Sequence, residues 1–307
     1  MEYVLRTRDL VKKYKSFTAL EGLTMNVPKG AIYGFVGRNG AGKTTLIRLV
    51  TGLQHPTSGE FELYGVKNTD KKISGSRKRM GAIVESPAVY LDLCARDNLK
   101  QQYRMLGLPD LSGIDELLEL VGLSGTGSKK AKNFSLGMRQ RLGIAVALCG
   151  SPDFIVLDEP INGLDPQGII EIRELILKLN RERGITILIS SHILDELSKL
   201  ATHYGFLDHG KMIREMSAEE LEKACRKCVR ITVSDTGILA RMLDEKQIEY
   251  KIIDPVTAYV YAKLAFSETV KELSDQGCQV MNMEEKDESL ESFYISLVGG
   301  EKGGEKR

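Results

Sequence analysis

The sequence predicts an α/β fold with an inserted helical segment, followed by a small α+β unit. Three observations carry this. A short apolar strand runs directly into a glycine-rich loop and an amphipathic helix between residues 31 and 53. Strand, helix and strand alternate again between Phe154 and Ile189. After Met216 short strands and helices follow in the order β-α-β-β-α-β. Strand and helix in alternation imply a parallel sheet covered by helices. The last order is that of a ferredoxin-like unit. The expected boundaries are 1–216 for the first domain, with its helical insertion at about 86–150, then 217–298, then a frayed tail over 299–307.

Each element has its own signal. Tyr3-Val-Leu-Arg-Thr7 alternates in the strand manner, and Leu23 to Val27 is a strand stopped by Pro28-Lys29-Gly30. Ala31 to Val36 is an apolar run of buried-strand length. In Thr44 to Leu53 the residues Leu46, Leu49, Val50 and Leu53 recur at helical spacing. Helical stretches follow at Asn98–Leu106, Ile114–Val121 and Leu136–Leu148, with glycine and serine punctuating Gly122 to Ser128. Phe154–Leu157 and Thr186–Ile189 read as strands, and Gln167–Asn180 between them as a helix. In the last third, Val229–Val233, Glu249–Ile253, Ala258–Leu264 and Gln279–Met283 are strand-like. Gly237–Glu245, Ser267–Gln276 and Ser289–Leu297 are helical.

Composition narrows the function classes. The 307 residues are 42% hydrophobic and 28% charged, an ordinary globular mixture with room for about two domains. A net charge of +1 argues against a protein held on nucleic acid by bulk charge. No run approaches the ~18 apolar residues of a membrane-spanning helix, and no signal-peptide core follows Met1-Glu-Tyr-Val. The expectation is a cytosolic chain that reaches a membrane only through a partner. Five scattered cysteines fit reduced thiols. Cys225 and Cys228 form a C-x-x-C pair, but with no second pair they make no zinc site.

Gly37-Arg38-Asn39-Gly40-Ala41-Gly42-Lys43-Thr44 fits G-x-x-x-x-G-K-T, between a predicted strand and a predicted helix. Glycines let backbone N–H groups turn inward around phosphate oxygens. The helix that follows adds its positive end. Lys43 supplies a point charge toward the β- and γ-phosphates, and Thr44 a hydroxyl toward Mg²⁺. Thr45 completes the set of candidate nucleotide contacts. The strand Phe154-Ile-Val-Leu157 then delivers Asp158 and Glu159 at a sheet's carboxyl end, where ligands of open α/β sheets bind. Asp158 is expected at Mg²⁺, and Glu159 is placed to polarise an attacking water.

With these residues in hand the chain resembles the nucleotide-binding subunit of an ATP-binding-cassette (ABC) transporter, from about residue 1 to 215. Phe134-Ser135-Leu136-Gly137-Met138-Arg139-Gln140-Arg141 is similar to the family signature L-S-G-G-Q-x-Q-R, with Leu136 in place of a glycine and Met138 in place of a glutamine. The resemblance implies a P-loop NTPase fold with a parallel-sheet core, antiparallel strands and a helical subdomain. It implies ATP and Mg²⁺. It puts Tyr14 against adenine, and makes Ser135, Gly137 and Asp165 act across a dimer. His192, after Ser190-Ser191, falls where the family has a histidine that meets the γ-phosphate. Glu85 falls where the family has a glutamine on the Mg²⁺ side.

The same resemblance implies a homodimer, or a heterodimer with a related subunit, and a separate transmembrane permease. That permease is expected to dock around Ser86 to Arg104, and the chain to lie peripherally on the inner face of the cell membrane. Glutamate at position 85 together with a C-terminal extension is similar to the bacitracin- and lantibiotic-type peptide-resistance exporters, which implies export of a peptide antibiotic or drug-like compound. The alternatives are a soluble non-transport ATPase of the same fold, in translation, repair or assembly, and an ATP-binding regulatory module with little turnover.

Overall fold

The computed structural model describes residues 2–225, 228–262, 264–286 and 290–299. Most of the expected tail, 300–307, lies outside them, as does Ser289, where the last helix was expected to begin. The chain divides into two compact units, Met1–Ala218 and Glu219–Arg307.

The first unit opens with β1 (Tyr3–Tyr14), β2 (Phe17–Pro28) and β3 (Ile32–Gly37), then α1 (Lys43–Thr51). Next come β4 (Ser58–Leu63), β5 (Val66–Lys67), α2 (Ile73–Arg77) and β6 (Met80–Ile83). Three helices follow, α3 (Ala95–Met105), α4 (Gly113–Leu120) and α5 (Leu136–Leu148), and they pack on one another. The chain returns through β7 (Phe154–Asp158), α6 (Pro166–Arg183), β8 (Thr186–Ser191) and α7 (Leu194–Ser198) to the hairpin β9 (His203–Asp208) and β10 (Lys211–Ser217). Two sheets result. One is antiparallel, in the order β2-β1-β4-β5. The other runs β10-β9-β3-β8-β7-β6, parallel except for β10 at its edge.

The burial explains the sequence texture. Every residue of β3, β7 and β8 is buried, so these strands read as apolar runs rather than as alternation, with polar residues only at the ends of β7 and β8. A single core cluster joins the two sheets through α1, with Leu5, Leu23, Phe35, Leu46, Phe61 and Val156 all at 1% exposure or less. Each such side chain contributes about 1.5–3 kcal/mol by leaving water. The helix α6 carries both its start and its stop signals. Asp165 caps it, Pro166 opens it, and Gly184 at φ +63 closes it. Its buried residues Ile172, Leu175, Ile176 and Leu179 keep the i, i+3, i+4, i+7 spacing of one face.

Some elements differ from the sequence expectation. β1 and β2 extend to a shared hairpin tip, and are far longer than the runs at 3–7 and 23–27. β4 is a strand whose glutamates, Glu60 and Glu62, alternate with buried Phe61 and Leu63. The hairpin β9–β10 and the short helices α2 and α7 were not expected. Among the described residues no helix is long and apolar enough to cross a membrane.

The second unit contains most of α8 (Ala218–Ala224). It continues with β11 (Cys228–Val233), α9 (Thr236–Glu245), β12 (Tyr250–Asp254) and β13 (Thr257–Val260). It ends with α10 (Phe266–Asp275), β14 (Val280–Lys286) and α11 (Leu290–Gly299). Its sheet is antiparallel throughout, in the order β12-β13-β11-β14. The core is Ile231, Val233, Ala258 and Val260 from the sheet against Leu239, Leu243 and Leu273 from α9 and α10. β13 stops at Val260, short of the expected Leu264. Neither Cys225 nor Cys228 is in a disulfide.

Candidate functional site

The carboxyl ends of β3, β8 and β7 lie side by side in the sheet, so the three loops leaving them meet at one edge. From β3 the chain turns through Gly40 at φ +83 and Gly42 at φ +111, then enters α1 at Lys43. A side chain at Gly42 is excluded twice. Its φ is left-handed, and a Cβ there would come 2.6 Å from the Ala19 carbonyl oxygen. No side chain caps the start of α1, so its first N–H groups are available to an anion. Beside them is a cleft of about 240 Å³ whose lining includes Phe17, Arg38, Asn39, Lys43, Thr45 and Glu159.

Lys43 is only 6% exposed. Its Nζ donates to the Gly37 carbonyl at 2.6 Å and the Arg38 carbonyl at 3.3 Å, and pairs with Glu159 Oε1 at 3.1 Å. The other oxygen of Glu159 lies 2.7 Å from His192 Nδ1. Lysine, glutamate and histidine therefore form one chain of contacts across the mouth of the cradle.

The neighbouring carboxylate is held differently. Asp158 is 2% exposed and accepts from the Thr44 hydroxyl at 2.8 Å and the Ser190 hydroxyl at 2.6 Å. Ser190 Oγ in turn accepts from the Glu159 N–H at 3.0 Å. One serine thus fixes both acids at the end of β7, while Glu159 itself sits at φ +48, an uncommon conformation for a residue with a side chain. Ser190 was not singled out from the sequence. Its signal is a hydroxyl at the end of the strand adjacent in the sheet.

The converging oxygens of Thr44 and Asp158 are hard donors of the kind Mg²⁺ prefers. Glu85, at φ +63 just past β6, gives its carboxylate to Arg48, one helical turn beyond Thr44 on α1. Among the described residues no three His, Cys, Asp or Glu side chains converge as a metal cluster. A magnesium ion here would depend on Thr44 and Asp158 together with phosphate and water oxygens.

Ser135, Gly137 and Asp165 do not line the cleft at Lys43. Ser135 caps α5, its Oγ accepting from the Met138 N–H at 3.2 Å, and its own proton remains to be donated outward. Asp165 caps α6 through Gly168 N–H at 3.2 Å. The first turn of α5 lies close to α6, for a Cβ at Gly137 would come 3.9 Å from Gly168 Cα.

Tyr14 also stands away from the cleft. Its hydroxyl bonds Gln54, which lies beyond the C-terminal end of α1, and Lys12 sits over its ring at 5.1 Å. Phe17, paired with Tyr14 across the hairpin tip, lines the cleft and is 59% exposed. The sequence reading passed over Phe17. Its signal is a large aromatic left in water.

Comparison with known proteins bears on the whole chain. A family model described as ABC transporter matches residues 20–162. The bacitracin transport ATP-binding protein BcrA of Bacillus licheniformis is 42% identical over 304 residues, covering 98% of this chain and 99% of that protein. The chain belongs to the ABC transporter family. As a member it is an ATPase, an ATP-binding subunit of an ABC transporter. The lantibiotic transport ATP-binding protein SrtF of Streptococcus pyogenes is 44% identical over 72% of this chain and 95% of its own length. Among solved structures, the dimeric structure of MJ0796, a bacterial ABC transporter cassette, superposes with a TM-score of 0.63 at 25% identity. It covers 70% of this ABC subunit and 98% of that chain.

Proposed function

We propose that two copies of this subunit, or one copy and a close relative, clamp two MgATP molecules and power a separate permease that exports a peptide antibiotic. The observation that carries the reading is the split between two half-sites. Lys43 and Glu159 line one cradle, with His192 bonded to Glu159, while Ser135 and Gly137 begin a second helix outside it. A half-site becomes whole when a partner supplies the other half. Support for pairing comes from the likeness to a dimeric cassette. Support for the cargo comes from the likeness to bacitracin and lantibiotic transport proteins.

In this reading the cradle and Lys43 take the β- and γ-phosphates, and the base lies on Phe17, which needs only an aromatic face. Tyr14 flanks that platform. Thr44 and Asp158 hold Mg²⁺, with Glu85 on the same side, and the ion supplies neutralisation of the phosphate charge. Glu159 orients and deprotonates the attacking water, and His192 holds Glu159 in place and meets the γ-phosphate. A second copy of the chain presents Ser135 and Gly137, a hydroxyl and a helix N-terminus, to that phosphate.

Residues 1–216 form the cassette. Residues 217–298 form a ferredoxin-like accessory unit, supported by the strand order β12-β13-β11-β14 and the order β-α-β-β-α-β. A match of SrtF to 72% of this chain supports a regulatory rather than a catalytic role for that unit. The subunit sits on the inner face of the membrane through its permease. The test is growth of a sensitive host in bacitracin or a lantibiotic, with permease and subunit co-expressed. Resistance that is lost with Lys43→Ala supports the reading. Equal resistance with and without Lys43 overturns it.

A further inference from the structure

Leu136 stands where the family signature has a glycine, so its side chain adds atoms that a glycine at that position would lack. It is the first residue of α5, directly after the cap Ser135, and remains 42% exposed. Its Cδ2 faces Gly163, where an added Cβ would meet it at 3.4 Å. Beside it, Leu164 Cδ2 lies 3.9 Å from the place a Cβ on Gly137 would take.

Gly163 belongs to the turn that starts at Glu159. The Asn162 N–H donates to the Glu159 carbonyl at 3.1 Å, and the Leu164 N–H to the Ile161 carbonyl at 3.3 Å. Ile161 is 1% exposed, and Asp165 pins the far end by capping α6. The path from Glu159 to Asp165 is therefore a hydrogen-bonded turn rooted in the core. Its tip rests on the residue next to Ser135. A glycine at 136 would present nothing to that tip.

We infer that Leu136 is a positioning residue that ties Ser135 to the turn carrying Glu159 within one subunit, and so couples the two nucleotides of a dimer. This rests on the reading above, in which Glu159 serves its own cradle and Ser135 serves the partner's. When Lys43 leaves Glu159 for a phosphate and Glu159 takes up a water, the turn shifts against Leu136 and moves Ser135 at the other nucleotide. Such coupling is a reciprocal free energy carried by a packed contact with two arrangements.

The test is the dependence of hydrolysis on ATP concentration for the purified full chain, its Leu136→Ala variant and its Leu136→Met variant. The wild type should give a Hill coefficient above about 1.5, where the ceiling for two sites is about 2. Leu136→Ala should bring it to about 1, with ATP affinity unchanged at chain concentrations too low for pairing. Leu136→Met, whose thioether reaches the same seat, should restore it. A folding defect alone would lower the melting temperature and the rate together without changing the Hill coefficient. Leu164→Ala should lower cooperativity too, and should add nothing in the double variant with Leu136→Ala. A non-cooperative wild type, or a Leu136→Ala variant as cooperative as wild type, overturns the inference. A wild type that binds ATP but never hydrolyses it overturns the hydrolytic reading beneath it, a separate result.

Discussion

Lys43 and Glu159 form an ion pair at the mouth of the cradle, with Lys43 Nζ 3.1 Å from Glu159 Oε1 and both side chains largely buried. In the proposed reading a phosphate arriving at the cradle draws the lysine away from the carboxylate, and binding thereby frees Glu159 to act on water. The sequence shows both residues but not this contact, because 116 positions separate them and only the adjacency of β3, β8 and β7 brings them together.

Glu159→Gln should leave MgATP binding intact and lower turnover by about 10²–10⁴, the usual worth of a positioned base. Lys43→Ala should weaken binding itself. Calorimetry and single-turnover hydrolysis separate the two effects. Wild-type turnover in Glu159→Gln would remove the carboxylate from its role.

Phe17→Ala should raise the ATP dissociation constant by about 5- to 150-fold, as expected for losing a base-stacking contact of ~1–3 kcal/mol. Tyr14→Ala should change it much less, since Lys12 sits over its ring and Tyr14 does not line the cleft. Titration of a fluorescent ATP analogue checks this. The opposite ranking would return the base to Tyr14.

Much of the site was legible because its parts are local. The phosphate loop, the Asp158–Glu159 pair and the Ser135 cap each lie within one short segment flanked by clear strand or helix signals. Phe17, Ser190 and the Arg48–Glu85 pair were not, because their roles come from a hairpin tip, a neighbouring strand and a helix face that meet only in the fold. The same holds for the elements. β3, β7 and β8 each hold an apolar run and stand out, whereas β4 and β10 are interrupted by Glu60, Glu62, Lys211 and Arg214 and do not.

Gly81→Ala should destabilise the first unit by about 3 kcal/mol, the cost of overpacking against an unyielding neighbour. A Cβ at that position of β6 would come 2.1 Å from the Ala147 carbonyl oxygen on α5. Urea unfolding checks this. A midpoint equal to wild type would mean that α5 does not press on β6.

The acid limb of stability should involve Glu196. Lys199 beside it, and then Arg173 at 2.9 Å, hold its carboxyl below the ordinary value of 4.5. A depressed carboxyl stabilises the fold above its unfolded value, and that contribution is lost as pH falls through the folded one. Glu196→Gln should therefore be less stable than wild type near neutrality, with the gap closing as the solution is acidified below 4.5. Denaturant midpoints measured across that range decide it, and a gap independent of pH would contradict it.

The most direct measurement is the mass of the Glu159→Gln chain by light scattering, with and without MgATP. Without nucleotide it should be the 34.1 kDa of one chain. With MgATP it should double, and Ser135→Ala in the same background should abolish the doubling. A chain that binds MgATP and stays at 34.1 kDa contradicts a nucleotide clamped between two half-sites.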